Sequence, residues 1–250
     1  MPDALLAQED FSALFKSLGA ALSPLPGSRF DSANGERALK AHYNVQSLDG
    51  FGGFSRAELS AAGALIAYLE LTQKGAKVAL QRIARVSPAH FMGIDAATRR
   101  NLELTQTLSG PRGGSLLAQI DRTVTACGAR LLGSRLAAPL TDVKTIAARH
   151  DAVESFAAKS ESRRKTREAL KAAPDIARAL GRLSVARGGP RDLAALRDGI
   201  KAARALRDLL GADAPGGEAR GALDALTQAI AAASRLSDRL EFLLVDQAPY

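Results

Sequence analysis

The sequence predicts a mainly α-helical protein, and three observations support this fold class. The chain has 250 residues, of which 46% are hydrophobic and 24% charged, which is the usual mixture of a folded protein. Aromatic residues make up only 4%, so alanine and leucine supply most of the apolar content, and both favour helices over strands. Apolar residues also recur every three to four positions along much of the chain. This length suits one large domain or two small ones.

The first third of the chain contains three helical patterns separated by turns. Residues 5–22 are amphipathic, and the proline-rich turn Ser23–Gly27 ends their pattern because proline cannot continue a helix. A second pattern covers residues 30–43. Ser55–Glu58 has the spacing of a capping box, in which the serine and glutamate side chains each accept a backbone N–H, and it predicts a third helix.

The middle of the chain predicts one strand and one long helix. Residues 83–94 are the best strand candidate, because they are apolar around Ser87-Pro88. The glycine-rich stretch 109–114 predicts a surface loop. Ser115 then predicts the cap of a long helix whose apolar positions extend to Leu136.

The last part of the chain predicts four more helices. Two of them cover residues 142–158 and 160–172. Pro190 suits a first helical position, and Asp192 complements the dipole of the same helix. The last helix is expected to begin near Gly217 and to form a helical hairpin with the one before it. Because the chain is still apolar so near its end, we expect a truncated chain, with a docked tail as the alternative.

Composition and charge restrict the classes of function. The net charge of +8 permits contact with nucleic acid without demonstrating it. The single cysteine, Cys127, excludes an intrachain disulfide and a four-cysteine zinc site, and its helical pattern predicts a small buried hydrophobe. No apolar run reaches the length of about 18 residues that a membrane span needs, and no signal peptide is evident, so a cytoplasmic location is expected.

The sequence offers no catalytic or cofactor-binding motif. The phosphate-loop pattern Gly-x-x-x-x-Gly-Lys-Ser/Thr is absent. His42, His90 and His150 are far apart and lack partners at ligand spacing. We therefore expect no catalytic, cofactor-binding or metal-binding residue in this chain, and we do not expect an enzyme.

Two basic features leave alternatives open. The stretch 159–171 reads either as a solvated helix face or as a set of phosphate contacts, and the lack of interleaved aromatic residues favours the solvated face. Arg99 and Arg100 follow Asp95, a possible helix cap. These three residues predict either a packing and salt-bridge node or an ordinary capped helix.

Several segments follow one another in a distinctive order, among them Asp95–Leu104, which reads DAATRRNLEL. The others are Phe30-Asp31, Ser47–Gly52, Ala61–Leu69, Thr72–Lys74, Ser115–Leu117, Ile120–Thr123, Gly128–Leu132, Pro139–Leu140, Arg149–Glu154 and Arg187–Leu193. This succession resembles the middle part of the MutS family, whose members detect mispaired bases in duplex DNA. The resemblance covers about residues 28–210. Cys127 departs from the family pattern, because a larger apolar residue is expected at its position.

The resemblance implies a helical core and lever bundle preceded by part of an α/β, RNase H-like connector domain. Residues 1–85 would be the C-terminal part of the connector, and residues 86–250 the core and the first part of the lever helices. The mismatch-reading domain, the clamp and the ATPase would be absent.

The resemblance also implies a function. A complete family member is a DNA-dependent ATPase that uses ATP and Mg, binds mismatched duplex DNA and is expected to be a homodimer. This segment would couple the DNA clamp to the ATPase without a cofactor of its own, with Asp95, Arg99 and Arg100 as the coupling node. The alternative is a self-contained basic helical nucleic-acid-binding protein.

Overall fold

The computed structural model describes residues 2–6, 8, 21–73, 78–86, 88–212 and 234–244, and this part of the chain is mainly helical. The predicted fold class is therefore confirmed. The chain forms two compact units, residues 1–86 and residues 87–250. Within the described ranges there is no strand, and β pairing is limited to two isolated bridges. None of the helices described is both long enough and apolar enough to cross a membrane.

The first unit is built on a pair of helices. The α-helices in its described part are α1 (Asp3–Leu6), α2 (Ser32–Tyr43) and α3 (Arg56–Thr72). The capping box predicted at the start of α3 is confirmed: the amide of Glu58 donates to the Ser55 hydroxyl, and the amide of Ser55 donates to the Glu58 carboxylate. Most of the amphipathic pattern over residues 5–22 falls outside the described residues.

Helices α2 and α3 cross with their backbones in contact. Gly35 in α2 and Gly63 in α3 are both buried, and a Cβ atom on Gly63 would overlap the Cα atom of Gly35. Around this crossing lies a small apolar core of Leu39, Leu48 and Ile66. Glycine is required here because no other residue lets two helix backbones approach so closely.

The strand predicted over residues 83–94 is wrong. The described residues between 78 and 86 are irregular, and Pro88–His90 forms a short 3-10 turn. Phe91 makes an isolated bridge with Leu140, so no ladder develops. The apolar residues of this stretch do not share one role. Ile83 packs against the core of the first unit, whereas Val86 and Met92 are exposed.

The second unit is a series of helices. Those among the described residues are α4 (Ala96–Asn101), α5 (Leu116–Ile120), α6 (Ala126–Ala137), α7 (Val143–Ala158), α8 (Ser160–Lys171), α9 (Ile176–Ser184), α10 (Pro190–Ala212) and α11 (Ser234–Leu243). The predicted helices over 142–158 and 160–172 are thus confirmed. The predicted start of the last helix near Gly217 lies outside the described residues.

The long helix predicted from Ser115 to Leu136 is in fact two helices. Ser115 caps α5 as expected, but α5 ends at Ile120. The Asp121 carboxylate then accepts hydrogen bonds from the amide and the hydroxyl of Thr123, 3.0 and 2.7 Å long, and these compete with helical bonds. The hydroxyl of Thr125 caps the next helix, α6.

Helices α9, α10 and α11 pack around a second apolar core. Helix α10 begins at Pro190 as predicted, and Asp192 accepts a hydrogen bond from the amide of Gly189. Helix α9, which the sequence analysis missed, supplies the buried Ala179. This residue forms the core with Leu196 of α10 and Leu240 of α11. The packing of α10 against α11 agrees with the predicted helical hairpin.

Candidate functional site

The predicted node of Asp95, Arg99 and Arg100 lies at the short helix α4, and Asp95 is the N-cap residue of that helix. The Asp95 carboxylate accepts a hydrogen bond of 2.9 Å from the amide of Thr98 and one of 2.6 Å from its hydroxyl. These bonds hold the pKa of Asp95 below its ordinary value, because they stabilise the charged form. Asp95 therefore acts as a helix cap and forms no ion pair with Arg99 or Arg100.

The two arginines of the node have different surroundings. The Nη1 atom of Arg99 donates a hydrogen bond of 2.6 Å to the carbonyl oxygen of Ala137, the last residue of α6. A cation at this position is favourable because the carbonyl end of a helix carries partial negative charge. Arg100 is exposed, and within the described part of the chain its guanidinium has no hydrogen bond or ion pair.

Backbone contacts strengthen the attachment of α4 to the connection between α6 and α7. The amide of Met92 donates to the carbonyl of Pro139 at 2.8 Å. Thr141 donates from its amide to the carbonyl of His90 and from its hydroxyl to that of Ala89. The segment that leads into α4 is therefore joined to the far end of α6 by several hydrogen bonds.

Helix α6 is joined in turn to the start of α9. The Arg130 guanidinium donates to both oxygens of the Asp175 carboxylate at 2.9 Å, in the two-pronged geometry typical of arginine and carboxylate. Asp175 also caps α9 through the amide of Arg178. The pKa of Asp175 is strongly lowered, chiefly by Arg130.

Cys127 belongs to this second contact, and the prediction that it is a buried hydrophobe is wrong. The residue is exposed. Its Sγ atom donates to Asp175 at 3.0 Å and accepts from Arg130 at the same distance. The hydrogen bond to the Asp175 carboxylate raises the pKa of the Cys127 thiol, because a nearby negative charge opposes formation of the thiolate. A polar partner 48 residues away could not be seen in the local pattern.

Two further contacts extend the series to the last helices. Arg182 of α9 forms an ion pair with Asp192 of α10 at 3.1 Å. Lys201 of α10 pairs with Glu241 of α11 at 2.7 Å. Helices α4, α6, α9, α10 and α11 are thus connected one to the next, and we call this set of contacts the helix relay.

The basic helix α8 makes most of its contacts within the protein. Arg163 donates to carbonyls at the end of α7, and Arg167 donates to the carbonyl of Arg122 at 2.9 Å. Arg164 and Lys171 pair with Glu161 and Glu168, which are 61% and 58% exposed. These glutamates are therefore solvated charges on the helix surface. The four cations named here already have hydrogen-bond or ion-pair partners within the protein.

The described residues contain no group of three or more histidine, cysteine, aspartate or glutamate side chains that could hold a metal ion. The glycine-rich loop over residues 109–114 lies mostly at the surface, as predicted. Its Arg112 pairs with Asp121 at 2.6 Å, beside the break between α5 and α6.

Two family models match the chain. The model of MutS domain II matches residues 2–83, and the model of MutS domain III matches residues 97–247, which is more than half of the chain. This chain belongs to the MutS family. The predicted resemblance to MutS is therefore confirmed, and the helix relay lies within the part that matches MutS domain III.

Individual relatives give the same result. The chain is 50% identical over 248 residues to the DNA mismatch repair protein MutS of Rhodopseudomonas palustris strain BisA53, covering 99% of the chain and 27% of that relative. It is 45% identical to the MutS protein of Rhizobium meliloti over all of its own length and 27% of the relative. For the MutS protein of Azorhizobium caulinodans the identity is 49%, over 85% of the chain and 23% of the relative. The chain thus spans about a quarter of these relatives.

Proposed function

We propose that this chain is the coupling segment of a mismatched-DNA-binding repair protein. Residues 1–85 would be the end of its connector, and residues 86–250 its core and the start of its lever helices. The segment would carry changes between a DNA clamp and an ATPase, and would have no catalytic residue or cofactor of its own. ATP and Mg would bind to other parts of the complete protein. That protein would be a cytoplasmic homodimer bound to duplex DNA.

The helix relay is the observation that carries this proposal. Packed helices move as stiff bodies between discrete arrangements, so a continuous series of contacts lets a displacement at one end reach the other. Each junction of the relay joins residues that are distant in sequence, from 10 residues for Arg182 and Asp192 to 45 for Arg130 and Asp175. Each of the three ion pairs includes an exposed cation, and such pairs add little stability. Their more useful contribution is to fix the orientation of neighbouring helices.

The proposal is tested by comparing Arg99→Ala with Arg100→Ala. Both substitutions remove one positive charge from α4, but only the first removes a contact with α6. The chain can be placed in the R. palustris relative in exchange for the matching 248 residues. Release from a fluorescently labelled mismatched duplex after ATP addition is then followed by stopped flow. We expect Arg99→Ala to slow release severalfold, because it removes the hydrogen bond that joins α4 to the end of α6.

The two arginines make the result decisive. An unchanged release rate in Arg99→Ala, in a protein that melts normally, would refute a coupling role for the relay. Equal slowing in Arg99→Ala and Arg100→Ala would assign the effect to charge alone. Asp95→Ala should resemble Arg99→Ala if the cap holds α4 in place, because this helix has only six residues.

The contacts of α8 argue against the alternative of a self-contained nucleic-acid-binding protein. Arg163, Arg164, Arg167 and Lys171 already have partners, so few of the charges on this helix are available for phosphates. A gel-shift titration of the isolated chain with duplex DNA separates the two functions. The coupling segment should bind weakly, with no preference for a mismatch. Tight binding that falls steeply with salt would support the alternative.

A further inference from the structure

A cavity of about 550 Å³ lies in the second unit at the start of α7. Its wall includes the side chains of His90, Asp142, Thr145 and Arg149. The volume is within the range of about 300–1,000 Å³ that is usual for small-ligand sites. No contact of the helix relay involves these four side chains.

Two arginines in or near the cavity wall lack a counter-charge. Arg149 is half-buried in the wall, whereas Arg135 of α6 lies outside it, close enough for the two positive charges to repel each other. Partial desolvation and this repulsion lower the pKa of Arg135. Within the described residues, neither guanidinium has a hydrogen bond or an ion pair with a carboxylate. Two neighbouring cations without an anion are unfavourable, because each opposes the charged form of the other.

The one carboxylate in the wall does not neutralise them. Asp142 caps α7, accepting hydrogen bonds of 2.8 Å from the amide of Thr145 and 2.5 Å from its hydroxyl. These bonds are the main reason that the pKa of Asp142 is lowered, and the nearby His90 contributes further. The negative charge of Asp142 is therefore engaged by the helix start and by His90, while Arg135 and Arg149 are left in excess.

We propose that this cavity binds an oxyanion, a carboxylate or phosphate group, through the guanidinium of Arg149, with the imidazole of His90 in the same wall. A guanidinium presents its N–H groups in a planar fork that matches two oxygens of such an anion. A bound anion also offsets the repulsion between Arg149 and Arg135. This site does not depend on the proposed coupling function.

The test is a nuclear magnetic resonance titration of the ¹⁵N-labelled 250-residue chain. Sodium phosphate and sodium acetate are added in separate experiments, with the ionic strength kept constant by sodium chloride. We expect saturable shifts of the amide signals of Ala89, Thr141 and Thr145. Tighter binding of phosphate or of acetate identifies which oxyanion the site prefers, and either result supports the proposal.

Variants connect the shifts to the arginines. Arg149→Gln should weaken binding of the preferred anion by at least about tenfold, as expected for loss of a charged hydrogen bond. Arg149→Lys keeps the charge without the fork and should give an intermediate value. Arg178→Gln is the matched control, because it removes an exposed arginine of α9 that is outside the cavity wall. It should bind as the unchanged chain does.

Three outcomes would overturn the proposal. They are shifts that do not saturate, shifts at amides remote from the cavity, and equal weakening of binding in Arg149→Gln and Arg178→Gln. The spectrum of each variant also reports whether it is folded. If Arg149→Gln does not fold, Arg149→Lys decides the question, and an affinity equal to that of the unchanged chain would refute the site.

Discussion

Replacing Gly35 by alanine should destabilise the first unit, because the crossing of α2 and α3 leaves no room for a Cβ atom. The added atom would lie 2.9 Å from the carbonyl carbon of Leu59 and still closer to its oxygen. Carbon atoms pack at about 3.5–4.0 Å, so the two helices would have to separate by roughly 0.6 Å or more. The obstacle is backbone, which cannot rotate away as a side chain can.

The size of the effect follows from two opposing contributions. An added methylene in a well-packed core costs about 1–3 kcal/mol, and a backbone obstacle places Gly35→Ala at the upper end of that range. Alanine returns about 1 kcal/mol, because it is a better helix former than glycine. We therefore expect a net loss of about 2 kcal/mol in the free energy of unfolding of this unit.

Hydrogen exchange followed by mass spectrometry measures this loss locally. A loss of this size should speed amide exchange in peptides from α2 and α3 by about 30-fold, while peptides from the second unit keep their rates. Gly181→Ala is the matched control, since Gly181 lies in α9 and its Cβ would meet nothing within 4 Å. It should stabilise its helix by about 1 kcal/mol. Unchanged or slower exchange in α2 and α3 of Gly35→Ala would refute the reasoning.

Four further predictions concern caps, packing and charge. Ser55→Ala should lower the free energy of unfolding by about 1 kcal/mol in a urea titration, because it removes the capping box of α3, and a midpoint equal to that of the unchanged chain would contradict this. Gly199→Ala should destabilise the second unit through a clash with the Ile176 side chain, and the loss in the double variant with Ile176→Ala should be smaller than the sum of the two single losses; strictly additive losses would count against it. Asp175→Asn should speed alkylation of Cys127 by iodoacetamide at pH 8, since the carboxylate raises the pKa of the thiol. The lowered pKa of Asp175 stabilises the fold above pH 4 or so, the ordinary range of an unfolded aspartate, and this contribution is lost as the pH falls further. The difference in melting temperature between the chain and Asp175→Asn should therefore shrink below about pH 4, and a constant difference would contradict this assignment.

Features encoded within a few residues could be predicted from the sequence. The capping box at Ser55, the cap at Asp95 and the helix start at Pro190 each depend on neighbours no more than four positions away. The break after Ile120 is also local. The apolar positions keep helical spacing across it, so the turn made by Asp121 was not predicted. Helix α9 was missed because its pattern covers only nine residues.

The candidate site depended more on distant partners, and these could not be predicted. Asp95, Arg99 and Arg100 were identified as a possible node, but the structure shows that Arg99 bonds to a carbonyl 38 residues away. Cys127 was assigned to a core because its neighbours are helical and small, whereas its polar partners come from the start of another helix. Such pairings depend on how the helices pack against one another, and the spacing of residues along the chain does not reveal them.

The bonds that α8 makes within the protein also affect what the net charge implies about binding to nucleic acid. A charge of +8 describes how the whole chain would migrate in an electric field. A polyanion responds instead to cations that can exchange their small counterions for its phosphates. Arg167 is bonded to a carbonyl oxygen, and the charge of Arg164 is offset by the neighbouring Glu161, although this exposed pair can open at little cost. The number of ions released on contact with DNA should therefore be below the number that the basic residues alone would suggest.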